Sequence, residues 1–94
     1  MLSDIPKNLE KVSKDKLDTE ILRAAIIAEL DAINLYEQMA ELTDNKDLKH
    51  RLQHVAKEEK THVGEFQALL LKYDAEQVKE LEEGKKEVEE DLGE

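Results

Sequence analysis

Residues 19–72 read TEILRAAIIAELDAINLYEQMAELTDNKDLKHRLQHVAKEEKTHVGEFQALLLK, and this stretch decides the fold. Its apolar residues recur at helical spacing, first Leu22, Ile26, Ile33, Tyr36 and Met39 or Ala40, then Leu48, Leu52, Val55, Val63, Phe66 and Leu69 or Leu70. That period returns side chains to one face of an α-helix. Between the two stripes lies Thr43-Asp44-Asn45, whose side chains bond to nearby backbone and favour a turn. Asp18 suits the cap of a first helix from Thr19 to Glu41, and Asn45 the cap of a second running to Lys72. Glycine and proline are absent between residues 7 and 63, and β-branched runs are short, so strands are not expected. The stretch therefore reads as an antiparallel hairpin of two long helices.

Outward from the hairpin the signals weaken. Residues 1–16 contain Pro6 and no sustained apolar period, and read as an extended lead-in. Asp74-Ala-Glu-Gln77 resembles a capping box, opening an acidic C-terminal helix within 74–94 that falters at Gly84 and continues to Asp91. Gly64 sits inside the second helix at a cost of about 1 kcal/mol against alanine. It is either tolerated slack or a point of close helix approach. The expected architecture is all-α: one domain over 1–94, made of a two-helix antiparallel hairpin plus a short C-terminal helix. A chain this short buries only a modest core, and self-association is the ordinary remedy.

Composition removes several classes of function. There is no cysteine, hence no disulfide framework, thiolate zinc site or iron–sulfur cluster. Acidic residues outnumber basic ones by 24 to 14, the wrong balance for a nucleic-acid backbone. Residues 74–94 alone carry a net charge of −7 out of the total of −10, which reads first as a solvated acidic helix and second as a cation-attracting surface. No apolar run approaches a membrane span of roughly 20 residues, and Met1 to Lys16 is too charged for a signal peptide. A cytoplasmic protein with no membrane or nucleic-acid partner is expected.

The chemistry lies where each apolar stripe is interrupted. Glu29 falls between Ile26 and Ile33; Glu59 and His62 fall between Val55 and Phe66, three residues apart and so on one helix face. A carboxylate facing a core is rarely kept without a partner. Residues equidistant from the turn of a hairpin are level, and the midpoint of 29 and 59 is residue 44, inside the expected turn. Each glutamate then lies about 22 Å from that turn. Two oxygens and one imidazole nitrogen leave a metal shell incomplete, but a second copy related by a twofold axis supplies the same three again. Four glutamates and two histidines can hold two divalent cations, and carboxylate with imidazole suits iron or manganese, with zinc a competitor. The general di-iron carboxylate pattern is one Glu from each of two helices and Glu-x-x-His from the other two. Glu-x-x-His alone arises by chance in a chain so rich in Glu, and Glu29 alone reads as the edge of its stripe. It is the pair of oddities, level and on facing stripes, that points to a metal. Tyr36, two turns from Glu29 on the same face, reads as core or as a neighbour of the metals. His50 and His54 are one turn apart, a spacing that can bind metal, but they face away from the stripe and read as a solvated pair.

The stretch Ala28-Glu-Leu-Asp-Ala-Ile-Asn-Leu-Tyr36, followed by Glu58-Glu-Lys-Thr-His62, resembles the encapsulated ferritin family, the ferritin-like proteins associated with encapsulin shells. The likeness covers residues 19–83. It implies that two hairpins dimerise into a ferritin-like four-helix bundle and that Glu29, Glu59 and His62 ligate a di-iron centre across that homodimer interface; the spacing of Tyr36 matches the family as well. It also implies that dimers assemble into a ring, usually of five, making a decamer. The implied activity is that of a ferroxidase, oxidising Fe(II) to Fe(III) with dioxygen, the iron being stored inside an encapsulin nanocompartment. Some members place acidic residues just before the first ligand and two residues after it as an iron entry site; here these are Ala28 and Asp31, so at most Asp31 keeps that role. Some end in an apolar-and-basic tag for the shell, whereas Glu87 to Glu94 is acidic; others, notably archaeal, are fused to the shell protein. An unfused relative and a trimmed piece of such a fusion both fit. Two other functions stay open: a rubrerythrin-like di-iron peroxidase, disfavoured by the lack of cysteine for a rubredoxin iron, and a non-catalytic dimeric helical adaptor.

Overall fold

The computed structural model describes residues 14–93, which form three helices and, among the described residues, no strand. Helix α1 spans Lys14–Leu42, α2 spans Lys46–Tyr73 and α3 spans Ala75–Leu92. The first two form an antiparallel hairpin, and among the described residues α3 meets only α2, which it follows after a single residue. The expected all-α hairpin with a C-terminal helix is what the chain adopts. No helix is long and apolar enough to cross a membrane.

Boundaries differ from expectation at the start of α1. Lys14 to Leu17 contains no helix breaker, so the helix begins before Asp18, which lies inside the helix rather than at its cap. Near the N-terminus its negative charge still complements the helix dipole. The last residues of the expected lead-in, 14–16, are therefore helical, and the rest of 1–16 lies outside the described residues. The other caps form as read. Asn45 Oδ1 accepts the Leu48 N–H at 3.0 Å, and the Asn45 N–H donates to Thr43 Oγ1 at 3.1 Å. Asp74 Oδ1 accepts the Gln77 N–H at 3.0 Å and opens α3. That helix runs through Gly84 without faltering and stops at Gly93, whose φ of 75° is a left-handed C-cap. Among the described residues nothing beyond the helix's own backbone and chain neighbours approaches Gly64 within 4 Å of where a Cβ would stand, so no close approach of α1 accounts for it.

The core of the hairpin is thin. Leu22, Ile33 and Ala40 from α1 and Ala56 and Leu70 from α2 are its buried apolar residues. Leu70, not Leu69, faces inward, and Leu48 is exposed. Ala40, near the turn, and Ala56, further along α2, are each 2% exposed. Ala56→Leu is expected to destabilise the protein by about 1–3 kcal/mol, because added methylenes have no space and must push the helices apart. Chemical denaturation of both proteins checks this. Elsewhere Ile21, Leu30, Leu69 and Tyr73 remain substantially exposed, and α3 buries none of its residues. A two-helix layer covers only part of its own apolar surface, as half of a bundle would.

Candidate metal centre

Each candidate ligand is fixed by the helix that carries it. Glu29 lies midway along α1 between Ile26 and Ile33; Glu59 and His62 lie one turn apart on α2 and face it. The structure brings one ligand atom from each of the three within 4.8 Å of the others. His62 Nδ1 stands 3.3 Å from Glu29 Oε2 and 3.4 Å from Glu59 Oε2. The carboxylates are 19% and 18% exposed and the imidazole is 43% exposed, so the group opens on the side of His62.

The electrostatics are lopsided. Among the described residues no lysine or arginine pairs with Glu29 or Glu59; Lys60 pairs with Glu37 at 3.1 Å and Arg23 with Asp74. Two half-buried carboxylates thus share one imidazole as their polar partner. Two carboxylates with no cation beside them among the described residues make a setting in which a bound metal ion finds its charge balanced. The group's donors, carboxylate oxygens with an imidazole nitrogen, fit iron or manganese, and zinc as a competitor.

Other candidates fall outside the group. Tyr36 is half-buried two turns along α1, about 10 Å by helical rise. Asp31 is two residues from Glu29, well round the helix, and is not brought to the group; its Oδ2 is buried without a hydrogen bond among the described residues. Ala28 supplies no ligand atom. His50 and His54 are exposed on α2, with His54 Nε2 3.6 Å from Glu58 Oε1. The tie of Arg23 to Asp74 at 3.1 Å had no signal in the sequence, because partners 51 residues apart share no periodicity.

Comparison with known proteins places this geometry. A family model described as EncFtn-like matches residues 4–84. The chain is 62% identical over 74 residues to a ferritin-like-encapsulin shell fusion protein of Pyrococcus furiosus, covering 79% of this chain and 21% of that protein. It is 46% identical over 69 residues to the encapsulin nanocompartment cargo protein EncC of Myxococcus xanthus, covering 70% of this chain and 53% of that one. The chain thus spans about a fifth and about half of the lengths of these two relatives. The crystal structure of the encapsulated ferritin domain from Pyrococcus furiosus superposes with a TM-score of 0.85 at 53% identity, covering 100% of this chain and 98% of that one.

Proposed function

The chain belongs to the EncFtn-like family of encapsulin-associated ferritin-like proteins, and on that footing we propose that it is a ferroxidase whose site is completed by a second copy of itself. The observation that carries this reading is the gathering of Glu29, Glu59 and His62 with no lysine or arginine among the described residues paired to them. One chain offers two carboxylates and one imidazole. Two chains offer four glutamates and two histidines, and two divalent cations balance four carboxylates. The open side at His62 and the exposed apolar residues of the hairpin support pairing of two hairpins into a four-helix bundle. A ring of such dimers, five in the favoured case, extends the same reading.

In this site Glu29 and Glu59 would bind and orient Fe(II), and His62 would add a nitrogen donor. When bound, the iron pair supplies the electrons that reduce dioxygen, and Fe(III) is the product. Tyr36, two turns along α1 from Glu29, would take a place beside the pair, and Asp31, an acidic group two residues on, is the remaining candidate for iron entry. The cargo and shell-fusion names of the relatives support association with an encapsulin shell, and with it a place inside a nanocompartment where the iron is stored. The test is Fe(II) oxidation under air followed by stopped flow, with metal stoichiometry measured on the same sample. Oxidation well above the protein-free rate is expected; a rate no greater than that control in iron-bound protein overturns the assignment.

A second reading has an observation of its own. Without a metal, the contacts at 3.3 and 3.4 Å tie the imidazole to both carboxylates in a polar network suited to a plain helical adaptor. Protein purified without chelator and carrying no iron, manganese or zinc would favour it.

A further inference from the structure

One residue separates α2 from α3. Asp74 stands between Tyr73 and Ala75 with φ −131° and ψ 85°, outside helical geometry. The backbone does not require a break there. The nearest glycines are Gly64 and Gly84, and the one proline is Pro6, so neither of the strong helix breakers lies near. The break is held instead by bonds to one carboxylate. Oδ1 accepts the Gln77 N–H at 3.0 Å, and Oδ2 accepts from Arg23 Nη2 on α1 at 3.1 Å. Asp74 is 16% exposed, the most shielded partner in any lysine or arginine ion pair among the described residues. Among the described residues little else restrains α3: it buries none of its residues and meets only α2, at their shared end.

We propose that Asp74 is a one-residue latch that divides what would otherwise be a single helix over residues 46–92. Aspartate competes with the helix by bonding its own neighbouring backbone. While Oδ1 holds the Gln77 N–H, that donor is diverted from the carbonyl of Tyr73, its partner in a continuous helix. Arg23 holds the other oxygen and so fixes the direction in which α3 leaves the hairpin. The latch thereby sets where the exposed row Val78, Leu81, Val88 and Leu92 points relative to Glu29, Glu59 and His62. Without the carboxylate, Leu69 to Val78 can run on as helix, and that row is carried away from the hairpin.

The chain has no cysteine, so Lys57→Cys and Lys86→Cys can carry spin labels, with labelled chain diluted into unlabelled chain to read distances within one copy. A continuous helix separates the two Cα atoms by about 44 Å; the bent parent is shorter. Asp74→Ala is expected to move the main distance to the continuous-helix value. Asp74→Asn keeps a cap acceptor and stays bent, and Arg23→Ala stays bent with a broader distribution. Circular dichroism reports whether each variant is folded, and Asp74→Gln, a helix former that caps poorly, replaces the alanine variant if that one unfolds. A parent-like distance in a folded Asp74→Ala or Asp74→Gln protein overturns the latch. A parent-like width in Arg23→Ala overturns the part given to Arg23.

Discussion

His62→Ala is expected to weaken Fe(II) binding by more than about 100-fold and to bring oxidation down to the protein-free rate. The imidazole is the only nitrogen donor in the group and touches both carboxylates, at 3.3 and 3.4 Å. Loss of residues that merely support a ligand already lowers metal affinity by about 10–100-fold, and loss of the ligand itself should exceed that. In a paired site each substitution also counts twice. Glu59→Ala should behave alike, since it removes an anionic oxygen one turn away on the same helix. His50→Ala is the matched control: its imidazole is exposed and outside the group, so binding and oxidation should stay near the parent values. Calorimetric titration and stopped-flow oxidation on the same preparations read both effects. Parent-like binding and oxidation in His62→Ala would place the site elsewhere.

Iron is also expected to drive assembly. A ligand that binds only the paired state stabilises it by mass action, by about 2.7 kcal/mol at a hundred times its dissociation constant. That is roughly a 100-fold shift in the pairing equilibrium. The apo interface should be weak, because four glutamates of like charge would crowd one cavity with only two imidazoles between them. Adding Fe(II) should therefore raise the dimer or ring population, and chelator should lower it. Glu59→Ala should abolish the response to metal while strengthening the apo dimer, since removing a buried charge relieves repulsion and desolvation. Size-exclusion chromatography with light scattering, with and without Fe(II), gives the populations. Identical populations in iron and in chelator would separate the metal from the interface.

The hairpin was legible because its signals are local and periodic. The stripes around Ile33 and Leu70 and the cap at Asn45 each follow from residues within a few positions. The midpoint argument carried this information across the turn, and Glu29 does meet Glu59 and His62. What escaped was competitive or long-range. Asp18 is a good cap, but Lys14 to Leu17 is equally able to be helical, and propagation of an existing helix prevailed. Gly84 weakens α3 without ending it, because one glycine costs less than two new helix ends would. The Arg23–Asp74 tie needs the folded hairpin to exist before its partners meet. Leu30, Leu69 and Tyr73 are exposed in the described hairpin, and the second copy proposed above is what would cover them.

The most direct test is a crystal structure of the iron-loaded protein with anomalous data collected at the iron absorption edge. The proposal predicts two anomalous peaks about 4 Å apart or closer, on either side of a twofold axis between two copies, each within bonding reach of Glu29, Glu59 and His62 side chains. Peaks elsewhere, or an iron held by the three residues of one copy with no second chain beside it, would contradict it.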